Sequence, residues 1–202
     1  MSTRILQAIN FIETMHEGQV RRGTGSPYAT HPLAVSYIVA ASKQSKNLED
    51  ILIAALLHDV LEDTSATFDL VSGKFGPLVA SLVLELTNDN AEIDRVGKLA
   101  YQKKKLAGIS SYGVLIKLAD RLHNVSENPT KKMLSDTLEL VTFLKKARKL
   151  TLPQKSLISD IESICTSRLS LDGAVDDDRG GNNMGAGNQG TMQPAKHAVA
   201  RM

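Results

Sequence analysis

The chain has 202 residues, 42% of them hydrophobic and only 4% aromatic, which suits one domain with an aliphatic core. A net charge of +2 is too small to indicate nucleic-acid binding by itself, and no run approaches the roughly 18 apolar residues of a membrane span. The single cysteine, Cys165, cannot form an internal disulfide, and no signal peptide is apparent, so a cytoplasmic location is expected.

Apolar residues at helical spacing follow one another along most of the chain. The first predicted helix covers 3–17 with Thr3 as its cap, and the glycines of 18–30 predict a loop. A second helix begins near His31-Pro32, since proline suits the first helical position, and runs to about residue 45. Asn47 is the predicted cap of the next helix. From there on, helices are expected over 48–62, 67–75, 77–87, 92–107, 111–127, 132–149 and 153–169.

In the segment 111–121 a short buried strand competes with the helix, because Val114, Leu115 and Ile116 are consecutive. Sustained alternation and internal repeats are absent from the sequence, which predicts an all-α fold. From residue 172 onward the chain is rich in Gly, Asn and Asp and has no apolar period. We therefore predict a folded domain over 1–171 and a disordered tail over 172–202.

The segment Leu56-Leu-His-Asp-Val-Leu-Glu-Asp63 contains an adjacent His58-Asp59 pair inside an apolar helical pattern. The pair offers a nitrogen and an oxygen ligand at one point, and Glu62 and Asp63 follow one helical turn later. Buried charge is costly unless a partner neutralises it, and this concentration of acids favours a cation as the partner. We therefore expect the pair to bind a divalent metal ion.

His31, at the start of a predicted helix, and Asp120, in a second apolar segment, would complete the metal site. Two imidazoles and two carboxylates suit Mn²⁺, Fe²⁺, Co²⁺ or Zn²⁺. Structural alternatives stay open at this point. His31 could serve as a helix cap or a packing residue, and Asp120 could form a surface ion pair with the adjacent Arg121.

Glu62 and Asp63 are expected to act beside the metal, because a nearby carboxylate can orient a metal-bound water and accept its proton. The alternative is that both acids end the helix 48–62 and form a turn with Thr64 and Ser65. Acids at a helix C-terminus oppose the helix dipole, however, which favours the catalytic interpretation.

Two basic segments would suit an anionic substrate. Arg21 and Arg22 lie in a glycine-rich loop before His31, and guanidinium groups bind phosphate and stack on purine rings. Lys98 and residues 103–105 form a second basic run on a predicted helix. Each run alone is typical of a solvated surface, whereas beside a metal site the two together favour a polyphosphate substrate.

In chain order, these residues resemble the H…HD…D signature of the HD phosphohydrolase superfamily and, more narrowly, the hydrolase domain of RelA/SpoT homologues. The resemblance covers roughly residues 3 to 150. It rests on His16-Glu-Gly-Gln19, Arg21-Arg22, Pro27-Tyr-Ala-Thr-His-Pro32, Leu52-Ile-Ala-Ala-Leu-Leu-His-Asp-Val-Leu-Glu-Asp-Thr64, Phe75-Gly76, Leu86-Thr87 and Lys117-Leu-Ala-Asp-Arg-Leu-His-Asn124.

The resemblance implies an all-α HD-domain bundle around a central metal site, which holds one Mn²⁺-like ion. It implies hydrolysis of the alarmones ppGpp and pppGpp to GDP or GTP and pyrophosphate. The implied site has metal ligands, an acidic pair that orients and activates the attacking water, and residues that bind the nucleotide. These groups are His31, His58, Asp59 and Asp120; Glu62 and Asp63; and Arg21, Arg22 and Asn124.

Arg22 departs from the lysine that the family has at this place, and the loop Gly23-Thr-Gly-Ser26 is one residue longer than the common form. The first departure retains the positive charge, and the second bears on base selectivity. The resemblance to the hydrolase domain stops before any synthetase domain, so an alarmone hydrolase without synthetase activity is expected.

Three alternatives compete with this interpretation. An HD-type phosphohydrolase of another nucleotide, such as an adenine alarmone or NADPH, would differ from a ppGpp hydrolase only in a few loop contacts. A non-catalytic alarmone-binding sensor would have no need of Glu62 and Asp63. A nucleic-acid-binding module is disfavoured by the low net charge and the few aromatic residues. We expect a small-molecule nucleotide partner and neither nucleic acid nor membrane, and a homo-oligomer is left open.

Overall fold

The structure, a computed structural model, describes residues 2–42 and 45–177, and these residues form α-helices without a β-strand. The all-α prediction is confirmed, including the segment 111–121, where the helix prevails over the competing strand. In chain order the helices are α1 (Thr3–Met15), α2 (Thr30–Ser42), α3 (Leu48–Leu56), α4 (Val60–Asp63), α5 (Phe68–Phe75), α6 (Pro77–Leu86), α7 (Asn90–Val96), α8 (Lys98–Gly108), α9 (Ser111–Ser126), α10 (Lys131–Ala147) and α11 (Leu152–Asp177).

Helices α3 and α9 lie at the centre of the bundle. Helix α2 packs against both of them, α6 covers α3, and α11 packs against α9 and α10. The core between them is aliphatic, as the composition predicted, with Ile53, Val83 and Ile116 fully buried. Because α2, α3 and α9 meet here, polar side chains on their facing surfaces come together inside the bundle.

Side-chain caps account for several helix starts, since a capping oxygen accepts a hydrogen bond from an otherwise unpaired backbone amide. The predicted cap Thr3 is wrong, because Ser2 accepts from the amide of Arg4 and Thr3 is the first helical residue. Asn47 does precede α3, but its side chain makes no capping bond. The other caps that bond through their side chains are Thr67, Asp89, Ser110 and Thr130.

The single helix predicted over 92–107 is wrong. Gly97, with a φ of +85°, separates α7 from α8. Residues other than glycine rarely adopt this conformation, and a glycine inside an otherwise helical pattern is therefore a natural place for a break.

The continuous helix predicted over 48–62 is also wrong, since α3 ends at Leu56 and α4 begins at Val60. In a continuous helix the Ala55 carbonyl would accept from the amide of Asp59. Here Nδ1 of His58 contacts that carbonyl at 2.8 Å. The His58 ring thus provides a hydrogen-bond donor for the Ala55 carbonyl at the break between the helices. His58 and Asp59 lie in the turn between α3 and α4.

Helix α11 extends to Asp177, six residues past the predicted domain boundary at 171. The rest of the predicted tail, 178–202, lies outside the described residues, and the disordered tail over 172–202 stays a prediction.

Candidate metal centre

Three side chains from separate parts of the fold converge inside the bundle. His31 comes from the first turn of α2, His58 from the turn after α3, and Asp120 from the middle of α9. One ligand atom of each lies within 4.8 Å of the others. Both histidines are only 1% exposed, which agrees with a metal ligand and also with the alternative of His31 as a packing residue.

Asp59 lies beside this group. Its Oδ2 is 3.0 Å from Nε2 of His58 and 3.8 Å from Nε2 of His31. Oδ1 of Asp120 approaches the same two nitrogens, at 3.9 Å from His58 and 3.2 Å from His31. The structure therefore brings together all four residues that the sequence proposed as metal ligands.

The Nε2 atom of His58 is buried and has no hydrogen-bond partner among the described residues. When His58 is neutral and its Nδ1 donates to the Ala55 carbonyl, Nε2 presents a lone pair toward the carboxylate of Asp59. Two lone pairs at this distance repel each other unless a proton or a cation lies between them. A nitrogen donor of this kind beside two carboxylates fits a divalent metal ion.

The two carboxylates are held in their charged form. Burial acts to raise the pKa of Asp120, but the Lys117 ammonium and the imidazoles hold that pKa well below its ordinary value. Nζ of Lys117 lies 3.5 Å from Asp120 Oδ2, and Asn124 Nδ2 donates to Asp120 Oδ1 at 2.6 Å. Burial likewise acts to raise the pKa of Asp59, and His58 and Lys117 outweigh it. Anionic carboxylates are the form that binds a cation.

The ion pair between Asp120 and Arg121, the structural alternative, does not form. Arg121 points to the other side of α9, where Nη2 donates to Gln102 Oε1 at 3.0 Å and Nη1 reaches Thr137 Oγ1 at 3.5 Å. Asp120 faces the histidines instead.

Asp63 is linked to the metal cluster through Tyr28. The Tyr28 hydroxyl donates to Asp59 Oδ2 at 2.6 Å and reaches Asp63 Oδ2 at 3.2 Å. Burial and the negative charge of Asp59 raise the pKa of Tyr28, so the hydroxyl stays protonated and donates. Burial and Asp59 also raise the pKa of Asp63. A carboxylate with a raised pKa is a better proton acceptor.

Glu62 points the other way along α4 and is held by Asn88. Its carboxylate accepts from the Asn88 amide N–H at 3.0 Å and from the Asn88 side chain at 3.0 and 3.1 Å. Lys105 lies behind Asn88, with Nζ bonded to the carbonyls of Leu86 and Thr87. Burial, and then the charge of Lys117, lower the pKa of Lys105 to about 8. Glu62 is therefore fixed by the residues that follow α6.

The loop between α1 and α2 is closed by a short antiparallel bridge between Val20 and Pro27. Within it, Arg21 donates from Nη2 to Asn124 Oδ1 at 2.9 Å and from Nε to Glu127 Oε2 at 3.2 Å. Arg22 is exposed and takes part in neither bond. The structure therefore brings two of the three proposed substrate-binding residues, Arg21 and Asn124, into contact.

Several residues at the site carried no clear signal in the sequence. Tyr28 lies in a motif of the resemblance but has no role assigned by it, and Asn88 and Glu127 lie outside these motifs. Their partners are distant in the chain, so spacing could not reveal them. Lys105 was grouped with the other lysines of its run and turns inward instead.

The comparisons with known proteins agree with this geometry. The HD domain family matches residues 8–140. The bifunctional (p)ppGpp synthase/hydrolase SpoT of Escherichia coli K12 is 37% identical over 159 residues, which are 70% of this chain and 21% of that protein. Guanosine-3′,5′-bis(diphosphate) 3′-pyrophosphohydrolase MESH1 of Drosophila melanogaster is 35% identical over 127 residues, 62% of this chain and 70% of that protein.

A solved structure is also similar. It belongs to a metazoan orthologue of SpoT that hydrolyses ppGpp and plays a role in starvation responses, and it superimposes with a TM-score of 0.69 and 29% identity. The match covers 83% of this chain and 97% of that one.

The chain spans about a fifth of the length of the bacterial SpoT relatives that it matches. Across the part of the chain that the structure describes, none of the helices has the length and apolar character of a membrane span. The family match, the MESH1 identity and the buried His/Asp cluster agree: this chain belongs to the HD-domain family, among the relatives of MESH1 and SpoT.

Proposed function

We propose that this protein is a divalent-metal-dependent (p)ppGpp 3′-pyrophosphohydrolase that converts ppGpp to GDP, and pppGpp to GTP, with release of pyrophosphate. The observation that supports it most is the buried, partnerless Nε2 of His58 among acids, in a fold shared with proteins named for this reaction. Metal-dependent hydrolysis of this kind needs a site that binds a cation and an anionic substrate and that contains a proton acceptor.

His31, His58, Asp59 and Asp120 are the residues that would hold the ion, and we propose Mn²⁺, with Fe²⁺, Co²⁺ and Zn²⁺ as chemically similar alternatives. When bound, such an ion supplies Lewis acidity and lowers the pKa of water. An ion held by these four side chains would still be able to accept a water or a substrate oxygen. We place the reaction in the cytoplasm, in agreement with the free, buried thiol of Cys165.

Hydrolysis breaks the bond between ribose O3′ and the adjoining phosphorus. The water oxygen forms the new bond to phosphorus and ends in pyrophosphate, while O3′ leaves and takes up a proton. In our proposal Asp63 accepts the proton of the water, which its raised pKa favours. The Tyr28 hydroxyl lies 3.2 Å from that carboxylate and connects it with Asp59. Glu62, whose carboxylate is held by Asn88, is the second acid of the proposed pair.

Arg21, Arg22 and Asn124 are proposed to bind the nucleotide. The hydrogen bonds of Arg21 to Asn124 and Glu127 use Nε and Nη2, and a guanidinium carries five N–H donors, so Nη1 remains to meet an anionic oxygen. Arg22 is exposed and can turn toward the substrate. Cationic donors at this place would offset the negative charge of the diphosphate.

The proposal is tested by incubating metal-stripped protein with ppGpp, with and without added Mn²⁺, and separating the products by ion exchange. We expect GDP and pyrophosphate only when metal is present. A panel of an adenine alarmone and NADPH run in parallel tests the alternative substrates. Metal-dependent cleavage of another nucleotide, with ppGpp left intact, would replace the proposed substrate. Binding of ppGpp without any cleavage would favour the sensor.

A further inference from the structure

A closed ring of polar contacts joins the metal cluster to the arginine loop. Nδ1 of His31 lies 2.9 Å from Nδ1 of His123, and Nε2 of His123 lies 3.7 Å from Glu127 Oε1. Glu127 accepts from Arg21, Arg21 donates to Asn124, and Asn124 donates to Asp120. Asp120 Oδ1 is 3.2 Å from Nε2 of His31, which closes the ring.

The contact between the two Nδ1 atoms admits one proton, so one ring donates and the other accepts. If His123 donates, the proton of neutral His31 lies on Nε2, and that nitrogen cannot bind a metal. If His31 donates, its Nε2 presents a lone pair to the cluster. A metal-binding His31 therefore requires His123 to accept at Nδ1, and the Nε2–H of neutral His123 then faces Glu127.

The two histidine ligands are thus supported in different ways. Nδ1 of His58 has a backbone carbonyl, that of Ala55, as its acceptor. Nδ1 of His31 has the side chain of His123 as its acceptor. In many metal sites a carboxylate accepts directly from the ligand histidine, whereas here the carboxylate of Glu127 contacts His123 instead. Only the support of His31 can be removed by substitution.

Glu127 also has a second partner. The same carboxylate that faces His123 through Oε1 accepts from Arg21 through Oε2, and both side chains of this ion pair are largely buried, 14% exposed for Arg21 and 25% for Glu127. A single carboxylate therefore connects the loop that would meet the nucleotide with the ligand that would meet the metal.

We propose that His123 and Glu127 are positioning residues of the metal centre: His123 fixes the metal-binding tautomer of His31, and Glu127 orients His123 while it holds Arg21. The inference rests on the proposed metal-dependent function. Neither residue is among the site residues that the sequence predicts.

The first test measures Mn²⁺ affinity of metal-stripped protein, without substrate, in His123→Leu and His123→Asn. Leucine removes the acceptor, whereas the asparagine oxygen can take the place of Nδ1. We expect His123→Leu to bind Mn²⁺ about 10–100-fold more weakly, the range for lost outer partners of metal ligands, and His123→Asn to recover most of the loss. Thermal unfolding of the metal-free proteins checks that both variants fold.

The second test is a double-mutant cycle with Glu127→Gln. Glu127 is connected to the metal ligands by two routes, through His123 to His31 and through Arg21 and Asn124 to Asp120. Because the leucine variant removes only the route through His123, we expect Glu127→Gln to weaken Mn²⁺ binding more in the wild-type background than in the His123→Leu background. If Glu127 had only a structural role, Glu127→Gln would lower the unfolding temperature, and its effect on Mn²⁺ binding would be the same in both backgrounds.

Mn²⁺ affinity within twofold of wild type in folded His123→Leu would overturn the proposal, as would equal losses in the leucine and asparagine variants. Loss of affinity that recovers in the asparagine variant would support it even if ppGpp proved not to be the substrate. Conversely, ppGpp hydrolysis with unchanged Mn²⁺ affinity in His123→Leu would uphold the proposed function and reject this inference alone.

Discussion

The proposed metal-binding side and the proposed substrate-binding side of the site are built differently. On the metal side, His31 and His58 are almost fully buried and their positions follow from where α2 begins and α3 ends. On the substrate side, Arg21 is held by side chains of α9 and its neighbour Arg22 is exposed. Substitutions on the metal side should therefore abolish function, while those on the substrate side should tune it.

The largest effect is expected for Asp120→Asn, which removes one negative charge and keeps the size of the side chain. Metal binding should be lost and ppGpp hydrolysis should fall by about a thousandfold or more, since several kcal/mol of charge stabilisation depend on the ion. Metal content and rate are measured on the same sample. Asp136→Asn, the same change in an exposed pair with Lys132 on α10, is the matched control and should leave both unchanged.

The second largest effect is expected for Asp63→Asn, since Asp63 lies between the two sides of the site. We expect kcat to fall by about 10²–10⁴-fold, the usual contribution of a positioned proton acceptor, with Mn²⁺ affinity retained. Asp69→Asn, an exposed acid in the first turn of α5, serves as the control. An unimpaired rate in Asp63→Asn at full metal occupancy would refute the role of Asp63.

Asn88→Ala should have an intermediate effect, because it frees Glu62 and removes none of the proposed metal-binding or substrate-binding residues. Misplacement of a catalytic group costs up to about 100-fold, and we expect the loss in kcat with KM little changed. Asn90→Ala, two residues further and exposed, should behave as wild type. A rise in KM with constant kcat would instead place Asn88 in nucleotide binding.

The smallest effects are expected in the loop. Arg21→Ala should lower kcat/KM by roughly 10–100-fold, as removal of a charged hydrogen-bond donor costs about 1.5–3 kcal/mol. Arg22→Ala should cost less than Arg21→Ala, because an exposed charge is screened by solvent. Steady-state kinetics of the two variants, compared with Arg21→Lys, separate the charge of Arg21 from its paired bonds. If Arg22→Ala proved the more damaging, the loop would have to rearrange on binding nucleotide.

The sequence predicted the helices well because apolar periodicity is local, and it pointed to His31, His58, Asp59 and Asp120 because they stand in motifs. It missed the break between α3 and α4, since no hydrophobic pattern reveals that the His58 ring reaches the Ala55 carbonyl.

The three lysines of α8 show a second reason why the sequence does not predict every contact. In sequence, residues 103–105 are three consecutive lysines, but Lys103 pairs with Glu139, Lys104 approaches Glu92, and Lys105 bonds to the carbonyls at the end of α6. Which neighbour each lysine meets depends on the packing of α8 against α7 and α10, and that packing is not encoded in local spacing.

The central claim is that one divalent ion, held by the buried His/Asp cluster, makes this protein a ppGpp hydrolase. The most direct measurement is the rate of GDP and pyrophosphate formation from ppGpp as Mn²⁺ is added stepwise to metal-stripped protein at a protein concentration well above the dissociation constant. We predict a rate that rises linearly and levels off at about one equivalent of Mn²⁺ per chain. A full rate without metal, or no GDP at any Mn²⁺ concentration in folded protein that binds the ion, would contradict the account.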